Sequence, residues 1–363
     1  MTYDALLVVS YGGPRGPEDV LPFMRNATRG RGIPDERLVE VSGHYALFGG
    51  RSPINERNAE LVEALRGELA LRGVDLPIHV GNRNWTPYLA DALGGLAAAG
   101  ASRVLCLTTA AFSSYSGCRQ YREDLAGALA ASGAGIELDK IGPYAETDGF
   151  VRANADALVA ALRRLSAPEA ARVLFVTHSI PTAMDAASGP GPDELRYSAQ
   201  HLRVAERVAA LAASELGVAP AWELVYCSRS GAPHIPWLEP DVNDRLEQLA
   251  AEGVREVVTA PIGFINDHME VIFDLDTQAA ATASGLGLGY VRAATAGTHP
   301  AFVAMLADAV AARAAAGPAP AAGPSPSDPA RSLLHGVRTC TTACCGSGRP
   351  GGPTLPAACG APE

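Results

Sequence analysis

The feature that most constrains this chain is an alternation: short runs rich in Val, Leu, Ile and Thr recur between longer stretches whose apolar residues fall at three- and four-residue intervals. Uninterrupted apolar runs suit strands buried on both faces, and a 3.6-residue period gives a helix with one apolar side. Repetition of the two folds as parallel sheets with crossover helices. The expected strands are Ala5 to Ser10, Ile78 to Gly81, Arg103 to Thr109, Arg172 to Thr177, Glu223 to Cys227 and Glu256 to Pro261. The expected helices are Asn58 to Leu71, Tyr121 to Ala131, Phe150 to Leu165 and Ser198 to Leu216. The pattern restarts after Gly142-Pro143-Tyr144, and 363 residues are too many for one ordinary core. The expectation is an α/β protein of two βαβ lobes facing a cleft, residues 1–145 and 146–315. Residues 316–363 follow as a Pro/Ala linker, Ala314 to Ala330 reading AAAGPAPAAGPSPSDPA, and a Cys-rich tail.

A formal charge of -10 offers no concentrated basic surface for phosphates, which argues against nucleic acid and favours cations as partners. No apolar run approaches the length of a membrane span, and Met1-Thr2-Tyr3-Asp4 carries no basic leader, so a cytoplasmic protein without membrane insertion is expected. In a reducing compartment its seven cysteines are poor disulfide candidates. Four of them, Cys340, Cys344, Cys345 and Cys359, crowd into the tail, a pattern that suits metal ligation.

In open α/β sheets ligands sit beyond the carboxyl ends of the strands. His178 stands there, between Val173-Leu174-Phe175-Val176-Thr177 and Ser179-Ile180-Pro181. It reads equally as a cleft residue or as a satisfied histidine in a turn. After the run ending at Pro261, a helix beginning near Asn266 would align Asp267, Glu270 and Asp274 on one face. That stripe is either a solvated face or a cation-attracting wall.

These residues lie in strings that resemble the ferrochelatase family in order and spacing: Phe175-Val176-Thr177-His178-Ser179-Ile180-Pro181, Pro261-Ile262-Gly263-Phe264 followed by Asp267-His268-Met269-Glu270, and Ser10-Tyr11-Gly12-Gly13-Pro14. Supporting matches are Thr28-Arg29-Gly30-Arg31, Gly49-Gly50-Arg51-Ser52-Pro53-Ile54 and Trp237-Leu238-Glu239-Pro240-Asp241-Val242. The resemblance implies two Rossmann-like, chelatase-like lobes around a porphyrin cleft, and an enzyme that inserts ferrous iron into a porphyrin. It implies that His178 takes the pyrrole protons as general base, that Glu270 assists, and that Asp274 extends a metal path; His178 as a metal ligand is a variant of the same reading. Tyr11 falls on the opposite face of the ring, and Arg29, Arg31, Ser52 and Tyr121 on its propionates. The apolar lip of membrane-associated members is missing, which favours coproporphyrin III over protoporphyrin IX. Two departures stand out: Gly81-Asn82-Arg83-Asn84-Trp85 lacks the histidine that Bacillus-type enzymes carry there, and Gln278 ends the acidic row.

The resemblance also implies a [2Fe–2S] cluster held by one internal cysteine, Cys118, and three from the tail. Five candidates exist for four places. Adjacent side chains ordinarily diverge, so one of Cys344 and Cys345 is expected to ligate. Spacing alone suits a zinc site as well. Cys106 and Cys227, at strands, read as buried thiols. Competing readings are a sirohydrochlorin-type cobalt or iron chelatase, and a non-catalytic tetrapyrrole or iron carrier with a cluster sensor. The family further implies a monomer that passes its product to a coproheme-processing enzyme.

Overall fold

The computed structural model describes residues 2–30, 32–189, 195–231, 234–316, 344–349 and 355–359. Its frame is two four-stranded parallel sheets. Strands β1 (Ala5–Ser10), β2 (Ile78–Asn82), β3 (Arg103–Thr108) and β4 (Glu137–Lys140) form the first, in the order β2-β1-β3-β4. Strands β5 (Arg172–His178), β6 (Ala221–Cys227), β7 (Glu256–Ala260) and β8 (Gly289–Arg292) form the second, in the order β6-β5-β7-β8. The order is the same in both: the first strand lies inside, and the chain crosses over it once. The central strands are the apolar runs of the sequence. All of β1 is buried, with Leu7 registered against Cys106, and in the second sheet Phe175 pairs with Leu224.

The expected helices are present with shifted ends: Ile54–Leu71, Gln120–Ser132, Asp148–Leu162 and Tyr197–Leu216. One expectation fails. Residues 266–268 are not helical; the helix there begins only at Met269, runs to Phe273 and continues as a π-helical turn over Asp274–Ala279. Asp267 therefore leaves the acidic stripe.

One apolar core runs through both sheets, taking in Leu6 and Leu105 from the first, Phe175 and Val258 from the second, and Phe302. Phe302 belongs to the helix Pro300–Ala316, which packs back against the helix Ile54–Leu71 of the first half. A fully buried phenylalanine contributes roughly 1.5–3 kcal/mol. The ion pair across the same seam, Arg72 Nε to Asp308 Oδ1 at 2.7 Å, is exposed on its aspartate side and contributes at most about 1 kcal/mol. Apolar packing, not charge, joins the halves there. Asn266 Nδ2 donates to Asn58 Oδ1 at 2.9 Å, and Asn58 Nδ2 donates to Ser10 Oγ at 2.7 Å, so a buried polar chain runs from the loop after β7 through the helix Ile54–Leu71 to the end of β1.

Candidate active site

His178 is the last residue of β5, so the strand delivers its imidazole to the carboxyl edge of the second sheet. Its Nδ1–H donates to the Ser179 carbonyl, so Nε2 is the nitrogen that gains or loses the titrating proton. Behind it, Tyr197 Oη donates to the His178 carbonyl at 3.1 Å and lies 2.5 Å from Thr177 Oγ1, which is 2.9 Å from His201 Nε2. The turn after β7 closes on this strand: a Cβ at Gly263 would strike Thr177. Only glycine allows that approach, and through it the helix Met269–Phe273 reaches His178.

Glu270 Oε1 lies 3.7 Å from His178 Nε2. Burial pulls the imidazole down, but Glu270, by charge and hydrogen bond, the Ser179 carbonyl and Asp274 together hold His178 above its ordinary value. Asp274 begins the π-helical turn, and burial raises its carboxyl to about 6 against the opposing effect of the Ser228 hydroxyl, which donates to it. His268 sits beside Glu270, its Nδ1 4.0 Å from Oε2, and burial holds it below its ordinary value. Asp267 instead receives both Arg292 and Thr295, and Arg292 also pairs with Asp276.

Tyr11 follows β1 and is partly exposed. Its ring meets Phe23 edge-on at 6.2 Å, and the Arg83 guanidinium stands 5.7 Å from its centroid and 4.4 Å from that of Tyr121. Arg83, buried, pairs with Asp124. Burial raises the Tyr45 phenol, and the charges of Glu270 and Tyr11 add to the rise. On the same helix, Asp35–Ala46, His44 stacks on Phe273 at 3.9 Å. The propionate candidates are scattered in exposure. Arg29 is exposed and donates to Asn26 Oδ1 at 2.7 Å, Ser52 and Tyr121 are buried, and Arg31 lies outside the described residues.

Sequence reasoning missed Ser228. It follows β6, where a ligand-facing residue belongs, and its φ of 62° is a left-handed conformation that non-glycine residues hold only under constraint. The strand end was the available signal; the backbone angle was not.

The structure gathers Cys118, Cys344, Cys345 and Cys359 into one pocket, and Cys340 lies outside the described residues. The expected divergence of Cys344 and Cys345 does not hold: their sulfurs are 3.7 Å apart, because the left-handed φ of 55° at Cys345 turns both toward the same side. Hydrogen bonds from Cys118 and Cys344, with the Gly189 N–H donating at 3.3 Å, pull the Cys345 thiol well down, the state a metal-binding thiolate needs. Among the described residues no three or more His, Cys, Asp or Glu side chains converge to hold one metal ion. Cys227 and Cys106 are buried thiols, as read from the sequence, and Cys106 is hydrogen-bonded to Cys359.

A sequence model of the ferrochelatase family matches residues 3–314. The chain is 54% identical over 323 residues to the coproporphyrin III ferrochelatase of Streptomyces coelicolor, covering 86% of each. It is 45% identical over 359 residues to that of Propionibacterium freudenreichii, covering 98% of this chain and 97% of the relative, and 46% identical over 307 residues to a ferrochelatase of Rhodopirellula baltica, covering 84% of each. Its strand-end histidine, its facing glutamate and these matches agree in placing the chain in the ferrochelatase family.

Proposed function

We propose that this ferrochelatase-family enzyme inserts ferrous iron into coproporphyrin III. The observation that carries the reading is the His178–Glu270 pair, backed by Asp274 and Ser228. A free porphyrin must lose two N–H protons as the metal enters: Fe²⁺ and the diprotonated ring give the iron complex and two protons. In its neutral form His178 takes those protons one at a time at Nε2, and Glu270 stabilises the resulting imidazolium and passes each proton toward solvent. Asp274 and Ser228 present oxygens along which hydrated iron sheds water, ligands firm enough to guide the ion and weak enough to release it. Tyr11 contacts the ring from the far side. We assign Arg29, Arg31, Ser52 and Tyr121 to the propionates, and four such groups on coproporphyrin give the cations more to hold than the two of protoporphyrin. The names of the relatives support the same substrate.

The cysteine pocket fits a [2Fe–2S] cluster in number, and the lowered Cys345 thiol supplies one ready thiolate. Such a cluster divides its four thiolates between two irons, so its ligands need not converge on one point. Cys118, Cys344, Cys345 and Cys359 are the proposed set, with Cys340 as the spare, and the bound cluster would supply a redox-active centre. No described helix is long and apolar enough to cross a membrane. We read the protein as a cytoplasmic monomer whose product passes to a coproheme-processing enzyme.

The test is anaerobic metallation of coproporphyrin III, protoporphyrin IX and sirohydrochlorin with ferrous iron. Coproporphyrin should react fastest; no reaction above the uncatalysed rate ends the enzyme assignment, and preference for sirohydrochlorin ends the substrate assignment. For the cluster, purified protein should be brown and lose its visible absorption in Cys118→Ser, whereas colourless, zinc-loaded protein would count against it.

A further inference from the structure

We infer that the two described pieces of the C-terminal tail, residues 344–349 and 355–359, act as a strap that positions the segment following His178, an inference that rests on His178 acting as proposed above. Both ends of the strap are anchored. In the first half, Arg119 and Arg122 are buried, at 4% and 3% exposure. Arg119 Nη2 donates to the Leu355 carbonyl at 2.9 Å and Arg122 Nε to the Ala358 carbonyl at 2.8 Å, while the Ala358 N–H donates back to the Arg122 carbonyl at 2.9 Å. Buried guanidinium groups need acceptors: Arg119 Nε donates to the buried Glu123 Oε1 at 2.9 Å, and the tail carbonyls supply the acceptors named above.

The other end rests on the short helix Thr182–Ala186, which begins four residues after His178. Gly348, at φ 68°, approaches it so closely that a Cβ there would lie on the backbone of Ala183 and 2.6 Å from Met184 N. Just past that helix, the Gly189 N–H holds Cys345 Sγ. The thiol pocket joins the two pieces of tail, since Cys359 packs with Cys118, Cys344 and Cys345. On its far side the helix is held by Asp185, which accepts from Ser198 N and Oγ at 2.8 and 2.9 Å. The carbonyl that fixes the His178 tautomer belongs to Ser179, between strand and helix. A strap that presses on Ala183 and Met184 thus limits the excursions of the residue that orients the imidazole. Arg122, on the helix Gln120–Ser132 of the first half, acts on the same segment from the opposite anchor.

Hydrogen–deuterium exchange on the full-length protein tests this with Gly348→Val, which blocks the seat on Ala183, and Arg122→Leu, which cuts the distant anchor. In both variants the amides of residues 182–189 should exchange about tenfold faster, while those of β1 and β3 keep their protection. In the metallation assay kcat should fall and the porphyrin KM stay unchanged, because neither residue belongs to the porphyrin rim. Arg122→Leu decides the matter alone if Gly348→Val does not fold. Unchanged exchange at 182–189 in Arg122→Leu, or a rise shared equally by β1 and β3, would overturn the strap. If the unaltered protein fails to metallate any porphyrin, the proposed function falls, but the exchange pattern still reports on the strap.

Discussion

His178 Nε2 stands 3.7 Å from Glu270 Oε1, two groups from opposite sides of a 92-residue separation that the second sheet brings to one edge. The carboxylate holds the imidazole above its ordinary value despite burial, so His178 gains its proton-accepting form only as pH climbs past that raised value. Glu270→Gln removes the charge responsible. The acid limb of kcat/KM should move to lower pH, with the plateau rate reduced about 10²-fold, a usual loss for a general acid–base partner. A pH–rate profile of the variant checks both, and an unmoved limb would separate the two residues.

Ser228→Ala should act on iron rather than porphyrin. The hydroxyl opposes the rise of Asp274, so its removal lifts the carboxyl further above about 6 and leaves more of it protonated near neutrality. The KM for iron should rise roughly threefold to tenfold at pH 7 and recover toward pH 8, with the porphyrin KM steady. A rise that persists unchanged at pH 8 would point to lost geometry instead.

How much of this was legible in the sequence follows from where each signal lies. The central strands announced themselves because both faces are apolar, whereas β4 (Glu137–Lys140) and β8 (Gly289–Arg292) are four-residue edge strands with charged side chains and gave no such pattern. His178 and Glu270 were legible from strand ends and motif order. Asp267 was misplaced because the helix starts at Met269, and because Arg292 and Thr295, distant in sequence, hold its carboxylate elsewhere. The pairing of Cys344 with Cys345 depends on one left-handed backbone angle, which residue identity does not disclose.

Arg83→Met tests the cation beneath the tyrosines. The guanidinium lies 4.4 Å from the Tyr121 centroid and 5.7 Å from that of Tyr11, and buried stacking of this kind contributes about 1–2 kcal/mol. Chemical denaturation should show a loss of that size. Arg83→Lys, which keeps the charge for Asp124 but not the flat stack, should fall between. Full stability in Arg83→Met would show that the stack contributes nothing.

His201 should make stability fall in acid. It is fully buried against Phe112, ring to ring at 3.5 Å, and burial depresses it from 6.5 to about 3. Between those values the unfolded chain binds a proton that the folded one refuses. The folded state is therefore fully favoured above pH 6.5 and loses up to about 1.4 kcal/mol per pH unit as pH falls toward 3. His201→Gln should flatten that slope in denaturation curves taken across pH 4–7, and an equal slope would assign the acid sensitivity to other groups.

The reach of Arg119 and Arg122 to Leu355 and Ala358 spans 236 residues in each case. On a ribosome that adds about 5–20 residues each second, roughly ten to fifty seconds pass between the making of these cations and the making of their acceptors. The helix Gln120–Ser132 and the turn before it must wait through that interval without the tail carbonyls that their two arginines reach. Their last packing step waits on residues made long after their own, and a message cut short upstream of these codons yields a protein that never finishes its own beginning.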